Sequence, residues 1–204
     1  GVAIKMKPLV IDNLIPEVYQ NELKQTLSHI PLYYTSSIGY DENTPPADGI
    51  KFLDNIGFSH SLVMQGKENS MDWGLFRPIL YFFAEKTNVF VKQVLRVRLR
   101  LTFQHPDREK FLFNKPHTDL PDHSGPYKTL VYYINDSDGD TFIFDKFFNK
   151  EDSRNVLKDI DKKIILQHTP KQGSAVYFEG HQYHAGNTPI KYKHRYIINF
   201  DFTI

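Results

Sequence analysis

Val94-Leu-Arg-Val-Arg-Leu-Arg-Leu-Thr-Phe103 is a strand written with a period of two. Leu95, Val97, Leu99, Leu101 and Phe103 share one face, and Arg96, Arg98, Arg100 and Thr102 share the other, because successive side chains of an extended chain point to opposite sides. Shorter alternating segments recur toward the C-terminus, near 129–135, 140–145, 163–167, 174–179 and 195–202, with Gly-rich and polar turns between them and no internal repeat. The 16 Phe and 12 Tyr favour sheet over a helix bundle. Many short strands of this kind predict a mainly β chain with a two-sheet jelly roll, a double-stranded β-helix, whose mouth can hold a metal.

Upstream of Val94 the pattern is helical. Leu14, Ile15, Val18, Tyr19, Leu23, Leu27 and Ile30 predict a helix over 13–30, with Pro16 in its first turn and Pro31 as a stop. A second helix is predicted over 71–86, capped by Ser70 or Asp72, with Leu75, Phe76, Ile79, Leu80 and Phe83 as its buried stripe. Residues 31–50 read as a long loop, and both helices as buttresses of a sheet. The expected organisation is one domain over 1–204: an N-terminal helical support over 1–90 and a jelly-roll core over 91–204. Residues 146–163 are long and charged, an insertion with a helical turn around 153–159, of the kind that sits over a barrel mouth and selects substrate.

The chemistry is concentrated in His117-Thr-Asp119, with His184 and then Arg195 further along. In an extended segment the side chains of His117 and Asp119 point the same way and can grip one cation, while a third ligand must come from another strand. Two imidazoles and one carboxylate are the ligand set of a non-haem Fe(II) that leaves positions open for oxygen and a co-substrate. Arg195 stands behind them as an anion clamp.

Around these residues stand Thr129-Leu-Val-Tyr-Tyr-Ile-Asn135, Gly139-Asp-Thr-Phe-Ile-Phe-Asp145, Pro170-Lys-Gln-Gly-Ser-Ala-Val-Tyr-Phe178, His184-Ala-Gly-Asn-Thr-Pro189 and Arg195-Tyr-Ile-Ile-Asn-Phe-Asp-Phe202. In this order the segments closely resemble the 2-oxoglutarate and Fe(II)-dependent oxygenases of the prolyl 4-hydroxylase-like group, over roughly residues 92–204. The resemblance implies His117, Asp119 and His184 as iron ligands. It implies Arg195 and Tyr133 as partners of the far carboxylate of 2-oxoglutarate, a task suited to a planar guanidinium fork that keeps its charge. The implied cofactors are Fe(II), 2-oxoglutarate and O2. The implied reaction is hydroxylation of an unactivated C–H, on peptidyl proline or another amino-acid-type substrate, with release of succinate and CO2. Asp119 argues against the halogenating branch, which has a small residue there. Asp201 stands where the nucleic-acid demethylases carry a second arginine, which argues against that branch.

Arg195, Ile197 and Asn199 share one strand face, as do Thr129, Val131 and Tyr133, and both faces would line the barrel interior. His181 is the alternative third ligand; His184 is preferred because His-Ala-Gly-x-x-Pro followed by Arg195 looks like the family's end of the site. His194 would point to the strand face opposite Arg195. His105, His123 and His168 carry no useful spacing. The Arg96, Arg98 and Arg100 face reads first as an ordinary solvated surface, and second as arginines directed toward an anionic substrate or the co-substrate, with Arg100 as the residue to test. Substrate contacts are expected from 105–116, 120–127 and 146–162, with a peptide, protein or small molecule as partner.

Other readings are bounded by composition. Twenty-five basic and 24 acidic residues leave a formal charge of +1, which gives no global case for nucleic acid or an anionic membrane. The absence of cysteine removes disulfides, thiolate zinc sites and cysteine nucleophiles. With neither a signal-peptide pattern nor a transmembrane stretch, the expected location is the cytoplasm. The competing functions are a non-catalytic jelly-roll binding protein and a zinc hydrolase, since three protein ligands and a water also serve zinc.

Overall fold

The period-two segments pair into two antiparallel sheets that face each other. The structure, a computed structural model, describes residues 5–36, 52–53, 56–151 and 155–204. In chain order these form β1 (Leu9–Ile11), α1 (Glu17–Gln25), β2 (Tyr33–Thr35), β3 (Gly57–Met64), β4 (Lys67–Glu68), α2 (Trp73–Phe76), α3 (Pro78–Thr87), β5 (Gln93–Phe103), β6 (Lys128–Tyr133), β7 (Thr141–Phe147), β8 (Ile164–His168), β9 (Ala175–Glu179), β10 (Gln182–Gly186) and β11 (His194–Thr203). The larger sheet runs β1-β9-β6-β11-β5-β3-β2 with β4 beside β3, and the smaller runs β10-β7-β8. This is the expected mainly β architecture with N-terminal helices and a jelly-roll core.

The helices cover the outer face of the larger sheet. Phe83 of α3 meets Tyr177 and Phe202 edge to face at centroid distances of 4.9 and 5.7 Å, and Trp73 of α2 tilts against Phe200 at 6.2 Å. Val97, Leu99 and Leu101 of β5 join this layer. Phe83→Ala should therefore lower stability by about 3–5 kcal/mol, read as a reduced denaturation midpoint with an unchanged slope.

Several expectations need correction. The first helix is confined to Glu17–Gln25, with Pro16 at its N-cap, and a 3-10 turn, Thr26–Ser28, replaces its last part. The second is broken in two. Pro78 has no amide hydrogen to give to a preceding turn, so it starts α3 at the first helical position instead of continuing α2. The first ninety residues also supply strands, chiefly β3, which pairs with β5. The predicted 31–50 loop contains the short β2, and 37–51 lie outside the described residues. So do 153 and 154 of the predicted turn at 153–159; the described remainder is turn, followed by the 3-10 segment Ile160–Lys163. Among the described residues no helix is long and apolar enough to cross a membrane.

The largest correction concerns the arginine face of β5. It is turned inward toward the smaller sheet, and Arg100 is buried. The apolar face is claimed by the helices, so the cationic face becomes part of the lining between the sheets. In register, Arg96 lies opposite Asp201, Arg98 opposite Asn199, Arg100 opposite Ile197 and Thr102 opposite Arg195 of β11.

Candidate metal centre

The edge of the smaller sheet positions the site. His117 forms an isolated antiparallel bridge with His184 of β10, its amide donating to the His184 carbonyl at 2.9 Å and the His184 amide donating back at 3.0 Å. This two-bond clasp fixes both backbones, and the imidazoles lie side by side with centroids 4.6 Å apart. Two residues on, Asp119 turns the same way. Its Oδ1 lies 3.3 Å from His117 Nε2 and 3.4 Å from His184 Nε2. Separations of this size suit donors in neighbouring positions around one first-row cation, whose bonds to imidazole nitrogen and carboxylate oxygen are about 2.0–2.2 Å.

The surroundings set the protonation states. His117 Nδ1 lies 3.2 Å from the Lys115 carbonyl and His184 Nδ1 3.4 Å from that of Gln182. Those acceptors favour the proton on Nδ1 and leave Nε2 as the lone-pair donor. Burial, reinforced by the adjacent His184, pushes the His117 imidazole below its ordinary pKa and so keeps it neutral. Burial alone would raise the Asp119 carboxyl; His184, His117 and Arg96 beside it hold it well below the usual carboxylate range. Arg96 reaches Asp119 at 3.6 Å and Asp201 at 3.5 Å, and Thr129 Oγ1 donates to Asp201 at 2.7 Å.

Both Asp119 oxygens and His184 Nε2 are buried without a hydrogen-bond partner among the described residues. Buried polar atoms rarely remain so, because each forfeits its hydration. A cation would satisfy all three atoms at once, and His117, Asp119 and His184 form a His/Asp cluster of metal-binding dimensions among the described residues. The ligand set fits Fe(II) in its chemistry as well as its spacing.

A second feature shares the cavity. Arg195, buried on β11, donates from Nε to the Gly139 carbonyl at 2.8 Å and from Nη2 to Thr141 Oγ1 at 2.6 Å. Tyr133 donates its hydroxyl to the same Thr141 oxygen at 2.7 Å, and burial pushes its phenol up to about 12, so it stays a donor. The guanidinium is thus fixed along one edge, and its Nη1 makes no hydrogen bond among the described residues. A side chain at Gly139 would collide with the Asn187 carbonyl and come within 2.9 Å of Arg195 Cδ, so the arginine needs glycine there. Arg195, His117, His184, Thr141 and Arg100 line one cavity.

The structure therefore brings together His117, Asp119 and His184, and sets Arg195 in the cavity that His117 and His184 line, with Tyr133 joined to it through Thr141. It leaves His181 apart: its Nε2 lies 3.0 Å from the Gly125 carbonyl and its ring against Tyr127. Sequence reasoning missed Thr141, which ties Tyr133 to Arg195, and Arg96, which faces Asp119. Arg96 was legible as a member of an alternating face; Thr141 had no signal beyond its place in a strand.

No family model matches the chain, and no curated protein matches it. Solved structures do. An oxidoreductase of the 2OG-Fe(II) oxygenase family from Burkholderia pseudomallei superposes with a TM-score of 0.66 at 9% identity, over 96% of this chain and 84% of that one. A prolyl hydroxylase from Trichoplax adhaerens, in complex with a hypoxia inducible factor peptide fragment, gives 0.58 at 12%, over 96% and 78%. The epimerase SnoN, in complex with Fe3+, alpha ketoglutarate and nogalamycin RO, gives 0.59 at 12%, again over 96% and 78%. The chain has the jelly-roll fold of these proteins.

Proposed function

We propose that this chain is an Fe(II)- and 2-oxoglutarate-dependent dioxygenase that hydroxylates a C–H bond of an amino-acid-type substrate, peptidyl proline being one such target. The observation that carries the reading is the His117, Asp119 and His184 cluster, in which both Asp119 oxygens and His184 Nε2 are buried without partners among the described residues, with the Arg195 guanidinium in the cavity that His117 and His184 line. A zinc hydrolase would account for the trio but would give Arg195 and Tyr133 nothing to do. The shared fold admits the oxygenase reading, and the epimerase SnoN, whose complex holds Fe3+ and alpha ketoglutarate, is consistent with it.

In this reading His117, Asp119 and His184 hold the iron, and Arg96 orients the Asp119 carboxylate. Arg195 receives the far carboxylate of 2-oxoglutarate through its free edge, while Tyr133 and Thr141 keep the guanidinium from swinging. The oxidative chemistry comes with the bound iron and keto acid: O2 is consumed, 2-oxoglutarate yields succinate and CO2, and the substrate gains a hydroxyl. The apolar residues Val131, Ile143 and Ile197 wall the interior and limit water near the reacting groups.

The direct test is anaerobic absorption spectroscopy of the protein titrated with Fe(II) and then 2-oxoglutarate. Chelation of the keto acid should produce a metal-to-ligand charge-transfer band in the parent and in His181→Ala, and none in His184→Ala. Bound iron without the band in the parent would remove the co-substrate assignment and return the zinc-hydrolase and binding-protein readings.

A further inference from the structure

The inward face of β5 holds more positive charge than the oxygenase reading uses. Arg100 is buried, its Nε and Nη2 lie below the surface without partners, and Arg98 Nε is in the same condition. Neither guanidinium makes a hydrogen bond or ion pair among the described residues. Around them the uncharged polar atoms are also unmatched: Asn199 Oδ1, opposite Arg98, and Thr102 Oγ1, next along the face, are buried without partners.

A guanidinium does not escape this cost by losing its proton, and an unpaired buried charge is among the most expensive features a fold can keep. Burial, with Arg98 and Arg195 nearby, pushes Arg100 well below its ordinary pKa; burial, with Arg96 nearby, brings Arg98 down to about 10. Both directions record strain in the cationic state and a preference for a nearby negative charge.

Charge accounting identifies what is left over. A divalent cation and Arg195 together balance Asp119 and a 2-oxoglutarate dianion. Arg96 has its own partners in Asp119 and Asp201, at 3.6 and 3.5 Å. The charges of Arg98 and Arg100 remain, and Arg100 borders the same cavity as His117, His184 and Arg195.

Resting on the oxygenase reading, we infer that Arg98 and Arg100 form the substrate anchor, and that the substrate carries an oxyanion, a carboxylate or a phosphate, which these two guanidiniums hold beside the iron. Two guanidiniums on alternate positions of one strand lie about 7 Å apart at their backbones, close enough for their long side chains to converge on a single anionic group. Asn199 and Thr102 supply further polar contacts to the same group. Such a pair selects acidic substrates and leaves neutral analogues facing two desolvated charges.

The test uses the protein loaded anaerobically with Fe(II) and 2-oxoglutarate, so that Arg195 is occupied, and titrated by calorimetry at low salt with inorganic phosphate and, separately, with N-acetylaspartate. At least one probe should bind saturably, and Arg98→Met and Arg100→Met should each weaken it by about tenfold or more, which is roughly 1.4 kcal/mol. The affinity for 2-oxoglutarate, read from the charge-transfer band, should stay within about threefold. The preferred probe distinguishes a carboxylate from a phosphate substrate. Arg100→Met should also raise the melting temperature of the metal-free protein, because a methionine relieves the unpaired charge. The inference is overturned if neither probe binds the parent, if the variants bind as the parent does, if they lose 2-oxoglutarate affinity instead, or if Arg100→Met melts lower. Absence of the charge-transfer band in the parent would instead sink the oxygenase reading, and the same probes on the metal-free protein would still report on the two arginines.

Discussion

Asp119→Ala is expected to weaken Fe(II) binding by more than about 100-fold, beyond the 10–100-fold typical of losing a group that merely supports a ligand, and to abolish 2-oxoglutarate turnover. The carboxylate is the only anionic donor of the trio, and both of its oxygens are held out of water with no hydrogen bond among the described residues to offset the cost. Two imidazoles remain in the variant, and they neither balance a divalent charge nor close the third position. The loss should not be a folding defect. Arg96, which faces Asp119 at 3.6 Å, keeps Asp201 at 3.5 Å as its partner, so removing Asp119 does not strand a buried cation. Thermal melting of the metal-free variant should stay close to that of the parent, while competition of Fe(II) against a chelator reports the loss. Asp122→Ala, an exposed carboxylate just beyond the site, should bind iron like the parent. An Asp119 variant that retained parental iron affinity would remove the metal assignment.

How much of this site could be read in advance follows from the range over which each signal acts. His117 and Asp119 were legible because the strand period itself puts them on one side, and Arg195 because it shares a face with Ile197 and Asn199. Strand β10 was not read, although it carries His184: Gln182-Tyr-His-Ala-Gly186 has too little apolar alternation to announce a strand, and its place is fixed by the clasp to His117 and by pairing with β7. β3 was missed for a related reason, since Ser59 and Ser61 lie beside Arg100 and Arg98 on the polar interior.

The inverted reading of the arginine face teaches the most. Alternation states which residues travel together, but it does not state which face is inside. The usual assumption puts charge in water. Here α2 and α3 cover the apolar face, and the second sheet covers the cationic one, so both faces are enclosed and the polar one becomes the site. Departures of this kind, where a local rule fails without an internal compensation, are expected where function is kept. The broken helix is a simpler case: the apolar period continues through Pro78, while the missing amide hydrogen of that proline separates α2 from α3.

Arg195→Met should raise the 2-oxoglutarate requirement by roughly 100- to 4,000-fold and leave Fe(II) affinity unchanged. A buried carboxylate deprived of its charged partner typically loses about 3–5 kcal/mol, and each 1.4 kcal/mol is about a factor of ten. The iron should be indifferent because Arg195 touches Gly139 and Thr141 and none of the three proposed ligands. Lysine is a poor replacement at this position: its ammonium keeps the charge but cannot hold the Gly139 carbonyl and the Thr141 hydroxyl while presenting a fork to a carboxylate. Arg195→Lys should therefore fall between parent and Arg195→Met. The measurement is the 2-oxoglutarate concentration at half-saturation of the charge-transfer band, with iron affinity determined separately on the same preparations. If Arg195→Met binds the keto acid as the parent does, the carboxylate partner lies elsewhere in the cavity, and Arg100, buried on the neighbouring strand with no partner among the described residues, takes over that role.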